Sequence, residues 1–155
     1  MVNNIKTSDL NLGEICEDLF LQSYKKYKKS KNKNAIIDFK HKHKKKLIEL
    51  KARKYKFNSH LKDWQIGINK INKACEYYNN GYSVYFFMMF YDGCFYWKYN
   101  PNKVKTDLYL QLGGRVDRGR DEQKQYYYIK SDCMKPARHQ IKVPEPIDIF
   151  EECLL

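Results

Sequence analysis

The chain has 155 residues, 43% hydrophobic and 31% charged, with a formal net charge of +12. Fourteen Tyr, eight Phe and two Trp supply the apolar surface of a packed core, which excludes a disordered polycation. No run approaches the roughly 18 apolar residues of a membrane helix, so no membrane partner is expected.

Five cysteines (Cys16, Cys75, Cys94, Cys133, Cys153) lie far apart, and Met1 to Leu12 has no apolar core; both features point to an intracellular, non-secreted protein with reduced thiols. The positive charge is uneven: Lys25 to Lys56 holds fifteen Lys or Arg and two acids, Asp38 and Glu49. A solvated surface accounts for any single lysine there, but the cluster as a whole points to a polyanionic partner.

Asp9 to about Lys28 is predicted as a first helix, with Leu12, Ile15, Leu19, Gln22 and Lys26 on one stripe and Leu10, Phe20 and Tyr24 widening its apolar side. Lys25 to Asn34 reads as a basic linker. Two strands follow, Ala35–Lys40 and Lys46–Arg53, joined by a turn over His41–Lys45. Lys54 to Asp63 reads as a polar loop. Trp64, Ile68, Ile71, Cys75 and Tyr78 recur at helical spacing and predict a second helix, stopped near Asn79-Asn80-Gly81.

Ser83–Tyr91 and Cys94–Tyr99 form a predicted hairpin about Asp92-Gly93. Asp107–Leu112 and Gln125–Ile129 are further strands, bracketing an arginine-bearing loop from Gly113 to Arg120. Pro144 to Leu155 reads as an acidic, irregular tail on one domain spanning 1–155, with a core at about 9–130.

The chemistry sits on the first strand pair. Side chains alternate across a strand, so Glu49 and Lys51 share a face, and an antiparallel hairpin can bring Asp38 beside them. Two carboxylates and a lysine on one sheet face carry a cost that a divalent metal would offset. A solvent-facing Glu-Lys pair on an ordinary surface hairpin is the bland alternative. Against it stands Asp38, placed directly after an apolar run in a basic stretch.

Asp38, followed after ten residues by Glu49-Leu50-Lys51, resembles the D…(D/E)xK signature of the PD-(D/E)XK nuclease superfamily, although Ile37 stands where the proline would be. Gly13-Glu14-Ile15-Cys16-Glu17 is similar to the helical opening of its Holliday-junction-resolvase-like and viral branches, and Tyr55 to Tyr78 resembles the helix after the catalytic strands. The resemblance covers roughly residues 10 to 100, and the style is that of large DNA viruses and phages.

It implies an α/β, restriction-endonuclease-like fold with a mixed central β-sheet flanked by helices and an αβββαβ core. One strand of that core is not located by the sequence: Lys54 to Phe57 or the later chain supplies it. It also implies a metal-dependent DNA endonuclease using Mg²⁺ or Mn²⁺, in the cytoplasm or nucleus of a host cell. Asp38, Glu49 and the Leu50 carbonyl would hold the ion, with Lys51 acting on the attacking water and the phosphate. Glu17 would be a further ligand, with Glu14 as competitor, and Gln65, at the start of the second helix, an accessory residue.

Lys42, Lys44, Lys45, Arg53 and Lys54 would grip the nucleic acid. Arg115, Arg118 and Arg120 would do the same unless Asp117 and Asp121 tie them up. His41 and His43 lack the further ligands of a zinc site and read as phosphate contacts or exposed residues. A nuclease acting on RNA, a non-catalytic nucleic-acid-binding protein on the same fold, and a homodimer all remain open.

Overall fold

The run Ser83–Phe90 is apolar on both sides, so it can be satisfied only by cover on both faces of a sheet. A computed structural model describes residues 2–31, 37–57, 63–114 and 124–145, with backbone alone for 2–10, and buries this run at the centre. The elements are α1 (Val2–Ser23), β1 (Tyr27–Lys29), β2 (Phe39–His41), β3 (Lys46–Ala52), β4 (Trp64–Ile66) and α2 (Ile68–Asn79). They continue as β5 (Ser83–Phe90), β6 (Gly93–Lys98), α3 (Val104–Asp107), β7 (Leu108–Gly113), β8 (Lys124–Ile129) and β9 (Lys135–Pro136).

Six strands form a mixed sheet in the order β1-β2-β3-β5-β6-β9, and β4-β8-β7 form a second, smaller sheet. Only β3 and β5 run parallel within the larger sheet. Parallel neighbours need a crossover, and the chain between them supplies one through β4 and α2. This lays α2 over the face that carries Leu47, Val84, Phe86, Met88, Phe90 and Trp97. The opposite face, with Ile48, Phe87 and Met89, packs against Cys16 and Phe20 of α1. Among the described residues no helix is long and apolar enough to cross a membrane.

The β3 boundaries, the β5–β6 hairpin and the end of α2 agree with the sequence reading, the last with Gly81 at φ +88°. Four expectations need correction. First, α1 stops at Ser23 rather than Lys28, and the supposed linker contains β1, whose Tyr27 ring packs 5.0 Å from His41. This upstream edge strand, not Lys54–Phe57, joins the sheet beside the hairpin. Its Tyr-Lys-Lys sequence has no apolar alternation to betray it; lysines suit an edge, where they discourage further pairing.

Second, Ile15 is 47% exposed, and α1 buries Cys16 in its place, beside the expected Phe20. Third, Trp64–Ile66 is a strand, so Gln65 lies on β4 and not at the start of α2. Trp64 and Ile66 alternate into the core around Gln65, and the helix begins after Gly67. The four-residue step from Trp64 to Ile68 imitates a helical turn by coincidence. Fourth, His41 is buried, and its Nδ1 accepts the N–H groups of His43 (3.0 Å) and Lys44 (2.9 Å). It closes the β2–β3 turn from within. Ala35 and Ile36 of the first predicted strand, and residues 146–155 of the tail, lie outside the described residues.

Candidate active site

Asp38 stands just ahead of β2. Extending the Phe39–Ile48 register by one pair sets it opposite Glu49. Its Oδ2 accepts the Leu50 N–H at 2.8 Å, and its carbonyl accepts the Ser30 N–H at 2.8 Å. The Ser30 hydroxyl also donates to the Ile37 carbonyl at 2.7 Å, so the end of β1 pins this corner of the chain. The N–H and C=O of one strand residue point to the same side. Because the Leu50 N–H meets Asp38, the Leu50 carbonyl turns toward Asp38 as well.

Glu49 is 3% exposed, which overturns the solvent-facing alternative. Its Oε1 accepts from the Lys70 ammonium on the first turn of α2, while Oε2 is buried with no hydrogen-bond partner among the described residues. Burial, and then the charge of Asp38, push the Glu49 carboxyl up to about 8, against the opposing pull of Lys70. Asp38 is near enough for its charge to raise Glu49, and Oε2 meets no donor among the described residues. Lys51 points to the same face. Burial, then the positive charges of Arg53 and Lys70, bring its ammonium down to about 8, with Glu49 and Asp38 opposing.

This donor set suits a hard divalent cation. Two adjacent carboxylates, a carbonyl turned toward them and an orphaned buried oxygen offer the hard oxygen ligands such an ion takes, leaving its other positions to water and phosphate. A cation there would relieve the repulsion from Asp38 that helps raise Glu49.

Of the residues singled out from the sequence, the structure gathers Asp38, Glu49, Lys51 and, beside Lys51, Arg53. It does not gather Glu17, whose Oε2 lies 2.6 Å from Lys29 Nζ, an ion pair off the hydrogen-bonding direction. Glu14, its competitor, is exposed. No group of three or more His, Cys, Asp or Glu side chains able to hold a metal occurs among the described residues.

Gln65 faces β7 and β8, its Nε2 3.3 Å from where a side chain on Gly113 would begin. Lys42 and Lys44 are exposed on the β2–β3 turn, while Lys45 donates to the Asn80 carbonyl at 3.3 Å and lies 5.4 Å from the centre of the Tyr82 ring. Lys54 is exposed just beyond β3, and Arg115, Arg118 and Arg120 lie outside the described residues.

Lys70 escaped the sequence reading. The spacing that begins the helix at Trp64 gives Lys70 no special place on it. Starting it after Gly67 puts Lys70 in the first turn, above the strand that carries Glu49. The signal was the glycine.

A family model described as "Phage putative PDDEXK endonuclease" matches residues 15–135. The matched span contains all four residues of the carboxylate-lysine cluster, and the mixed sheet with flanking helices is the restriction-endonuclease-like architecture. No curated protein and no solved structure matches the chain.

Proposed function

We propose that this chain, which belongs to that phage PDDEXK endonuclease family, hydrolyses phosphodiester bonds of DNA with a Mg²⁺ or Mn²⁺ ion held by Asp38, Glu49 and the Leu50 carbonyl. The observation that carries the reading is the buried Glu49 carboxylate set against half-buried Asp38 and flanked by two lysines, with one of its oxygens unpartnered among the described residues. When bound, the ion would polarise the scissile phosphate and make an attacking water more acidic.

The protein's own groups do the rest. Asp38 is oriented by the Leu50 N–H, so its second oxygen faces the site rather than swinging free. Lys51, held near its own titration point by burial and by Arg53, can orient the water and take its proton when neutral. When charged, it stabilises the negative charge growing on the phosphate. Lys70 anchors one oxygen of Glu49, leaving the other for the ion, and thus fills the accessory place expected of Gln65. Arg53, Lys54 and the exposed Lys42 and Lys44 would hold the phosphate backbone on either side.

Conversion of supercoiled plasmid, with Mg²⁺, Mn²⁺ or EDTA, tests the reading on wild type, Glu49→Ala and Lys51→Ala. Cutting that needs metal and is lost in both variants supports it. Binding without cutting by all three proteins, on a panel that also holds RNA and branched DNA, would replace it with a non-catalytic binding role.

A further inference from the structure

Because α1 ends at Ser23, no helix among the described residues covers the start of β3 and β5 on the sheet face opposite Glu49. Two cavities, of about 470 and 330 Å³, meet over Tyr85 and Tyr96, which line both; the smaller lies on this face, and the larger turns round the end of β6 to Trp97, Tyr99 and, on α2, Tyr78. These are sizes typical of ligand pockets, roughly 300–1,000 Å³. The two rings lie diagonally across the β5–β6 pair with centroids 6.0 Å apart, and Tyr96 stacks on Phe87 at 5.4 Å and 20°. Tyr24 and Tyr27 extend the aromatic floor of the smaller cavity, while Tyr78, 42% exposed, lines the larger from α2.

The rim is basic. Lys46 and Arg138 border the smaller cavity, and Lys98, Lys103 and Lys135 the larger. Among the described lining residues the one acid is Asp107, and its carboxylate accepts from Trp97 Nε1 (2.9 Å) and the Thr106 hydroxyl (3.1 Å). Lys98 Nζ sits 5.6 Å from the centre of the Tyr85 ring, so cation and ring face are presented together.

We propose that this groove binds single-stranded nucleic acid, its bases stacking on Tyr85 and Tyr96 and its phosphates meeting Lys46, Lys98, Lys135 and Arg138. Five cations around partly exposed tyrosine rings match a polyanion that also offers flat apolar faces. A purely acidic partner would use the cations and leave the rings unexplained; an apolar partner would do the reverse. The smaller cavity lies on the other face from the carboxylates and, from Lys46 to Glu49, only about 10 Å along β3. One strand of a substrate or product can therefore be held while another occupies the hydrolytic site. The binding itself does not depend on hydrolysis.

The test is fluorescence anisotropy in EDTA with labelled oligothymidylate, an abasic oligomer of equal length and a short duplex. Wild type should bind oligothymidylate more tightly than either of the other two. Tyr85→Leu and Tyr96→Leu, which keep apolar bulk, should each lose roughly fivefold or more toward oligothymidylate and little toward the abasic strand. Lys98→Ser with Arg138→Ser alters exposed side chains only and should weaken binding to both single strands. Equal affinity for the abasic strand, unchanged binding in the tyrosine variants or no binding by wild type would each overturn the proposal. Because metal is absent, a failed cleavage assay leaves these outcomes as informative as before.

Discussion

Replacing Glu49 by Gln removes an ionisation that the fold resists, and the size of the effect follows from the site. In the metal-free protein Glu49 titrates near 8, against an ordinary value of 4.5, because it is buried and faces Asp38. Each pH unit of that gap corresponds to about 1.4 kcal/mol, so the full gap sets a ceiling of about 5 kcal/mol. The sign follows from proton counts: across this window the folded chain keeps a proton that the unfolded chain has lost. Stability contributed by neutral Glu49 is therefore present below about pH 4.5 and lost as pH rises to about 8.

Urea unfolding of wild type and Glu49→Gln in EDTA, compared pH by pH, cancels the other titrating groups. Wild type should lose several kcal/mol relative to the variant between about pH 5 and about pH 8. Manganese added at the upper end should restore wild type and leave the variant unmoved, since an ion that binds only the folded state stabilises it by mass action. A wild-type-minus-variant difference that stays flat across the window would refute the claim that Glu49 is held neutral by burial and Asp38.

Lys51→Arg should keep metal binding but lower plasmid cleavage about 100-fold or more, because a guanidinium cannot deprotonate and does not fit a compact ammonium's place. His41→Ala should cost about 2 kcal/mol in urea unfolding, since it strands the N–H groups of His43 and Lys44. Burial, then Lys44 and Lys46, hold the His41 imidazole below its usual 6.5, so the wild type should also lose stability as pH falls below about 6.5, a loss the variant lacks. Phe20→Ala should destabilise by about 3–5 kcal/mol, because the ring is fully buried and packs 4.6 Å from Tyr24 and 4.7 Å from Phe39.

The part of the site legible in the sequence was the part written in local alternation. Glu49 and Lys51 share a face of β3 by strand geometry alone, and the short turn fixed Asp38 opposite them. What escaped depends on elements that local pattern does not mark. β1 is three residues, two of them lysines, and it exists because Tyr27 docks on Phe20 and His41. β4 escaped because Trp64 happens to continue the helical spacing of Ile68 and Ile71, and with it went the position of Lys70. Glu17 shows the converse: a residue correctly placed on a helix can still be drawn to another partner, here Lys29 on the strand that went unread.

The central claim, that the Asp38–Glu49 pair and Lys51 make this chain a metal-dependent nuclease, is tested most directly on end-labelled substrates. Metal-free wild type and Asp38→Asn would be given single-stranded, duplex and branched DNA, and RNA, before and after Mn²⁺ is restored. The account predicts phosphodiester cleavage by wild type only with metal, and at least about 100-fold less by the variant, because the amide removes the charge that would hold the ion. Equal cleavage by the two proteins, or cleavage that persists in EDTA, would contradict it.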